Sequence, residues 1–226
     1  RGQEFFAAAA QDMEDESAEE AFLQTLERTK SDLQANMAIA EIFNRLPNDA
    51  KQLLARLPAY HEAVPIEGLL KLGLDFPNAE ALLKRLLQVS LLEVIYQPHW
   101  KVNDYQCAPM VTNWMNANGL IDSNPEWLNL AAEYHLSLFE NERGSLGQAI
   151  ATHHALRRAG YDAKADIFTL DHITHSLEMA GNYNALLTDW LPQICSSKKL
   201  KIRARALNVI GGLQKYIGNH EKALGA

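Results

Sequence analysis

Apolar residues recur every three or four positions along most of this chain, the spacing that places them on one face of an α-helix. Residues 17–35 predict one such helix, whose first turn carries acids that favour the positive end of the helix dipole. Residues 37–46 predict a second helix. Its expected apolar face consists of Ile39, Ile42, Phe43 and Leu46.

Prolines mark the expected starts of the next helices. Pro47 interrupts the pattern, and Asn48 or Asp49 is the expected cap of a helix through AKQLLARL. Pro65 is the expected first-turn residue of a helix over IEGLLKLG, and Pro77 precedes a further helix over AEALLKRLLQVS.

The composition changes at residues 92–96, LEVIY, which have the β-branched and aromatic content of a strand. Residues 97–101 can turn, and residues 102–106 can return as the partner strand. A helix over residues 110–118 follows. Packed helices followed by one hairpin and another helix describe a winged helix, which is therefore predicted over residues 37–118.

From residue 123 the sequence repeats itself. Gly144, Gly181 and Gly218 are 37 residues apart, within the similar segments GSLGQAI, GNYNALL and GNHEKAL. Eight positions before each glycine is an apolar residue and seven before is a small one: Leu136 and Ser137, Ile173 and Thr174, Ile210 and Gly211. This period predicts stacked helical hairpins, in which the small residue permits close helix contact and the glycine makes a left-handed turn.

Composition and charge indicate the class of protein to which the chain belongs. The chain has 47% hydrophobic residues, no apolar run near the ~20 residues that span a bilayer, and two isolated cysteines, so we expect a cytoplasmic protein without disulfides or structural zinc. The net charge of −7 is concentrated in residues 1–36, which hold nine acids and three bases. A fragment of a larger protein is expected, because the sequence begins at Arg1 and ends within a repeat.

The expected fold is mainly α. It comprises an acidic helical lead-in over residues 1–36, a winged-helix domain with one short β-hairpin over residues 37–118, and α-α superhelical repeats over residues 123–226, of which the last is truncated.

The 37-residue units resemble tetratricopeptide repeats over roughly residues 125–226. GNYNALL and GNHEKAL are similar to the Gly-Asn-Tyr-x-x-Ala turn of that family, although the family's aromatic position holds Glu133, Leu170 or Leu207 here. The resemblance implies that the inner faces of the first helices bind a protein or peptide. Carried over position by position, the expected partner-binding residues are Tyr134, Asn141, Phe168, Asp171, His175, Glu178, Arg205, Asn208 and Lys215.

The segment before the repeats resembles the winged helix of signal-transduction NTPases with numerous domains, the STAND class. The residues that carry the resemblance are EIFNRLPNDAKQLLARLPAYHEAVPIEGL, NAEALLKRLLQVSLLEV and PMVTNWM. It implies a regulatory fragment without catalytic activity, whose winged helix contacts the nucleotide-binding core of the same polypeptide while the repeats sense a partner. By resemblance, ATP and Mg²⁺ belong to the parent protein, because this chain has no G-x-x-x-x-G-K-[ST] loop and needs no cofactor of its own.

Three alternatives remain open from the sequence. A winged helix can bind DNA, but the candidate recognition helix offers only Lys84 and Arg85 beside Glu80, and Asp104 opposes the bases of the wing. A hydrolase could use the cluster from Asp171 to Glu178, in which His172 and His175 could share a metal, although a catalytic zinc site usually needs a third protein ligand and no HExxH motif accompanies this pair. A plain repeat scaffold is the third. The basic cluster from Lys198 to Arg205 could contact nucleic acid, an acidic surface such as residues 12–20 of another copy, or solvent.

Overall fold

A computed structural model of the chain describes residues 16–218. This part of the chain is mainly helical and contains one two-stranded antiparallel sheet, as the sequence predicts. Residues 1–15 of the predicted acidic lead-in and residues 219–226 of the third repeat lie outside it. None of the helices between residues 16 and 218 combines the length and apolar character needed to cross a membrane.

Helix α1 (Glu16–Asn44) replaces the two helices predicted on either side of residue 36. The prediction of a boundary there is wrong because neither glycine nor proline interrupts the chain between Gln34 and Ala38. Leu33 and Met37 are 61% and 66% exposed, and among the side chains of α1 that the structure describes the first within the core is Ile39.

The next helices are short and amphipathic. They are α2 (Asn48–Arg56), which continues into a 3₁₀ turn (Leu57–Ala59), α3 (Ile66–Lys71) and α4 (Ala79–Gln88). Pro47 occupies the cap position of α2 and no side chain caps it, so the expected Asn48 or Asp49 cap is wrong. Pro65 likewise precedes the first turn of α3 instead of lying within it.

The predicted hairpin consists of β1 (Leu92–Gln97) and β2 (Val102–Cys107), paired antiparallel with Leu92 opposite Cys107. An isolated bridge joins Val64 to Tyr105 on the other side of β2. Helix α5 (Pro109–Ala117) follows, with proline in its first turn.

Helical hairpins occupy the rest of the described chain. The first consists of α6 (Pro125–Asn141) and α7 (Leu146–Arg158). The second consists of α8 (Asp162–Phe168), a π-helical turn (Thr169–Ile173) and α9 (Thr174–Met179), then α10 (Tyr183–Ala185), a π-helical turn (Leu186–Trp190) and α11 (Leu191–Cys195). Helix α12 (Leu200–Tyr216) begins a third.

The three repeat glycines do not share one conformation. Gly181 and Gly218 have φ of 69° and 82°, the left-handed turn predicted after the first helix of each hairpin. Gly144 is not left-handed, so the prediction is wrong there. The connection at Gly144 ends instead with Ser145, whose Oγ accepts a hydrogen bond from the backbone of Gln148 and caps α7.

Two apolar cores share helix α6. The first core extends from Ile39 to Leu138, and the second from Ala132 to Leu213. Tyr134 and Leu138 face the first core, whereas Ala132 faces the second. The predicted boundary between residues 118 and 123 is therefore a boundary in sequence pattern but not in packing.

Candidate partner-binding surface

An ion pair joins the first helices of the second and third hairpins. Arg205 Nη2 of α12 lies 2.6 Å from Asp171 Oδ1, on the π-helical turn that follows α8. Both side chains are substantially exposed, so the pair adds little stability. The contact does show the relative position of the two helices: both present predicted partner-binding residues to the same surface.

The other predicted residues on these helices are all at least partly exposed. His175, Asn208 and Lys215 are exposed and Glu178 is half-buried. Asn141, at the end of α6, is also exposed, and its Nδ2 donates a hydrogen bond to the Ser137 carbonyl at 3.0 Å.

Two predicted residues lie in the interior instead. Tyr134 is 8% exposed and faces the N-terminal core, where Gly68 leaves room for its ring: a Cβ on Gly68 would lie 2.6 Å from Tyr134 Cε1. Burial raises the pKa of Tyr134 to about 12. Phe168 is 6% exposed. A partner has little access to either ring, so the candidate partner-binding surface excludes both residues.

Sequence reasoning missed an aromatic cluster beside Asp171. The His172 ring lies 4.9 Å from Phe139 and 4.6 Å from Phe168, between centroids. The available signal was the spacing of four residues between Phe168 and His172, which places both on one helical face.

A buried ion pair ties the hairpin to the first repeat. Arg143, in the turn between α6 and α7, donates to both carboxylate oxygens of Asp104 on β2, at 2.6 and 2.9 Å. The side chains are only 6% and 1% exposed, and the Arg143 guanidinium lies 4.9 Å from the Trp100 ring centroid. Asp104 was expected to oppose the bases of the wing; that interpretation is wrong, because its charge is compensated internally by Arg143.

Two more arginines connect the N-terminal unit, which is the part of the described chain before α6, to the repeats. Arg158, at the end of α7, donates to the carbonyls of Ala59 and Pro58 at 2.8 and 2.9 Å. Arg56 of α2 binds Asp75 and lies 4.2 Å from the ring centroid of Trp127 on α6. With the shared helix α6, these contacts pack the N-terminal unit and the repeats against each other. We call this set of contacts the seam.

Cavities flank the buried pair on both sides. One of about 290 Å³ lies between the hairpin and the start of α7, and one of about 640 Å³ lies between α3, β2 and the end of α6. Arg143 lines both. Its charge is already matched by Asp104, so neither cavity has a free guanidinium for an anionic ligand.

Two buried histidines lie within the repeats, His135 and His153. Gln148 Nε2 lies 3.1 Å from His135 Nδ1, and Thr169 Oγ1 lies 2.7 Å from His153 Nδ1. Burial lowers the pKa of both histidines to about 4. They are uncharged at neutral pH and serve packing.

The catalytic alternatives gain no geometric support. Across residues 16–218, no three His, Cys, Asp or Glu side chains form a group that could hold a metal ion. Burial raises the pKa of the Cys107 thiol to about 11, so it is not an activated nucleophile at neutral pH.

The surface formed by Asp171, His175 and Arg205 is thus the best candidate partner-binding site in the described chain. The seam connects the repeats that carry this surface to the N-terminal unit. Comparison with known proteins adds no family to this geometry: no family model, curated protein or solved structure matches the chain.

Proposed function

We propose that this chain is a non-catalytic regulatory module of a STAND-type signalling protein. Its repeats bind a protein or peptide through the surface around Asp171 and Arg205, and its N-terminal unit acts as a winged helix on a nucleotide-binding core. The seam is the observation that carries this proposal.

A module that relays binding needs a stiff connection between its sensing and output parts. The seam supplies one, because Asp104 and Arg143 form a bidentate ion pair that is almost fully buried. Displacing the first repeat would leave a charge unpaired in the interior, which is strongly unfavourable. Movement at the repeats is therefore expected to carry the hairpin with it.

The order of elements in the N-terminal unit supports the winged-helix part of the proposal. Helices α2, α3 and α4 precede the hairpin, and the bridge between Val64 and Tyr105 gives β2 a neighbour on both sides. This is the succession expected of a winged helix, in which a short strand between helices joins the sheet. The exposed bases of its candidate recognition helix α4 are only Lys84 and Arg85, too few for a DNA interface based on phosphate contacts.

The polar character of the surface favours a protein segment as its ligand. Asp171 and Arg205 offer charges of both signs, while His175 and Asn208 add hydrogen-bonding groups. A peptide with matching charges and amide groups can satisfy these side chains, whereas a flat apolar partner cannot.

The first test is the coding sequence upstream of Arg1. We expect it to encode a G-x-x-x-x-G-K-[ST] loop followed by an Mg²⁺-binding acid. If it encodes neither, the STAND assignment fails and only a partner-binding repeat module remains.

A second test addresses the partner-binding surface. Affinity capture from the cells that express the protein should recover a partner with the wild-type chain and lose it with Asp171→Lys plus Arg205→Glu. Arg45→Glu plus Glu41→Lys is the matched control, because it reverses another exposed ion pair remote in sequence. Equal loss with both variants would contradict a specific site.

A further inference from the structure

The start of α12 carries more positive charge than the described acids beside it balance. Residues 198–216 contain six bases and no acid. Of the exposed bases near its start, Arg205 pairs with Asp171. No ion pair among the described side chains of residues 16–218 engages the other four, which we call the basic face: Lys198, Lys199, Lys201 and Arg203.

Two acids lie beside the basic face and share one arginine. Asp162 and Asp166 line a groove of about 350 Å³ together with Lys198 and Lys199. Arg157 contacts both carboxylates, Asp162 at 3.2 Å and Asp166 as well. One guanidinium balances only one of these two carboxylates, so the groove offsets about one of the four positive charges of the basic face and leaves the larger part of them unbalanced.

The chain itself contains a segment of complementary charge. Residues 12–20, DMEDESAEE, hold six acids and no base. Opposite charges exposed to solvent attract each other at separations up to the Debye length, which is about 10 Å at 0.1 M salt. Six acids within nine residues provide enough negative charge to pair with the basic face.

Helix α1 contains the last five residues of this segment, residues 16–20. The described side chains from Gln24 to Ala38 are exposed, apart from the half-buried Ala35, and packing begins at Ile39. At 1.5 Å per residue, the helix extends about 35 Å from Ile39 to Glu16. A helix of this length holds residues 16–20 away from the unit on which Ile39 packs, so a second molecule is the natural recipient of the acidic segment.

We propose that the basic face binds residues 12–20 of a second copy of this chain. When each molecule donates its acidic segment to the other, the two contacts are equivalent and the assembly closes as a dimer. The proposal does not depend on the function proposed above, because it concerns residues outside the surface around Asp171.

Complementary charge reversal tests the dimer. The first variant carries Lys198→Glu, Lys199→Glu and Lys201→Glu, and the second carries Glu14→Lys, Asp15→Lys and Glu16→Lys. Sedimentation velocity at low salt should show a dimer for the wild type and a monomer for each variant alone. An equimolar mixture should form a heterodimer, because each contact again joins opposite charges.

The control variant carries Lys84→Glu, Arg85→Glu and Lys101→Glu, which change the net charge equally at exposed positions elsewhere. It should dimerise like the wild type, and raising the salt should dissociate both. Circular dichroism verifies that every variant is folded. A monomeric wild type, unchanged dimerisation of the first variant, or a mixture that stays monomeric would each overturn the proposal.

Nucleic acid is the competing ligand for a basic surface. Fluorescence anisotropy with a random-sequence DNA duplex, at the same low salt, separates the two. We expect the wild type to bind the duplex no more tightly than the control variant does. Tight binding that only the first variant loses would overturn the dimer in favour of a nucleic-acid interface.

Discussion

Asp104 and Arg143, 39 residues apart, meet with both carboxylate oxygens bonded to the guanidinium and almost no solvent access. This pair fastens the hairpin to the first repeat. Arg143→Ala should lower the free energy of unfolding by about 3–5 kcal/mol, because it strands the Asp104 carboxylate in the interior. Chemical denaturation measures the loss.

Two further variants test whether burial of the pair is the cause of this loss of stability. Arg45→Ala removes an exposed ion pair with Glu41 and should lose less than about 1 kcal/mol. The double variant Asp104→Leu with Arg143→Met should lose less than Arg143→Ala, because no charge is left unpaired. An Arg143→Ala loss as small as that of Arg45→Ala would contradict a structural role for the pair.

The shared helix α6 predicts that the two units unfold together. Leu138 is 1% exposed and belongs to the N-terminal core, while Ala132 on the same helix belongs to the repeat core. Leu138→Ala should therefore lower the midpoint of both units, at a cost of about 2–5 kcal/mol. Tryptophan fluorescence can follow each unit separately, in one variant that retains only Trp114 and another that retains only Trp190. Separate midpoints would contradict the single packed body.

The buried histidines predict a loss of stability in mild acid. Burial lowers the pKa of His135 and His153 from 6.5 to about 4, so the unfolded chain binds protons more readily between these values. The stabilisation is complete above pH 6.5 and is lost as the pH falls towards 4, by on the order of 3 kcal/mol for each histidine.

Thermal melts between pH 7 and pH 4 measure this dependence. His135→Gln and His153→Gln should flatten it, whereas His61→Gln, at an exposed position before the hairpin, should leave it unchanged. The Arg56 guanidinium holds the pKa of Asp75 below its usual value of 3.8, so that pair weakens at lower pH than the histidines. Equal slopes for all three variants would exclude the histidines as the cause.

The repeat glycines should differ in their tolerance of a side chain. Gly181→Ala should cost roughly 1–2 kcal/mol, because its φ of 69° is left-handed. Gly144→Ala should cost less than about 0.5 kcal/mol, since Gly144 is not left-handed and its Cβ would meet only the Phe139 carbonyl at 3.7 Å. Equal losses, measured by chemical denaturation, would contradict distinct turns.

Local patterns were sufficient for most of the secondary structure. The hairpin over residues 92–106 and the helices after Pro47, Pro65 and Pro77 follow from side-chain periodicity and from proline, which act within a few residues. The same local reasoning failed at residue 36, where a change in pattern did not interrupt α1. It also failed at Gly144, because an ordinary turn capped by Ser145 serves the same connection.

The candidate site could be predicted only in part. Asp171 and Arg205 lie on the surface that the repeat pattern indicates, and the structure adds their contact. Tyr134 belongs to the same pattern but faces inward, because Gly68 leaves space for its ring on a neighbouring helix. Which face of α6 is covered depends on Gly68, 66 residues before Tyr134 in sequence, beyond the reach of any local pattern.

The sequence by itself determined a mainly helical chain, one hairpin, the repeated glycines and the uneven distribution of charge, since each depends on neighbouring residues or on composition. Only the tertiary structure decided that Arg143 neutralises Asp104, that Arg158 binds the carbonyls of Pro58 and Ala59, and that α6 serves two cores. Those relationships join residues far apart along the chain. Their energies arise from burial and close packing, which exist only once the helices have assembled.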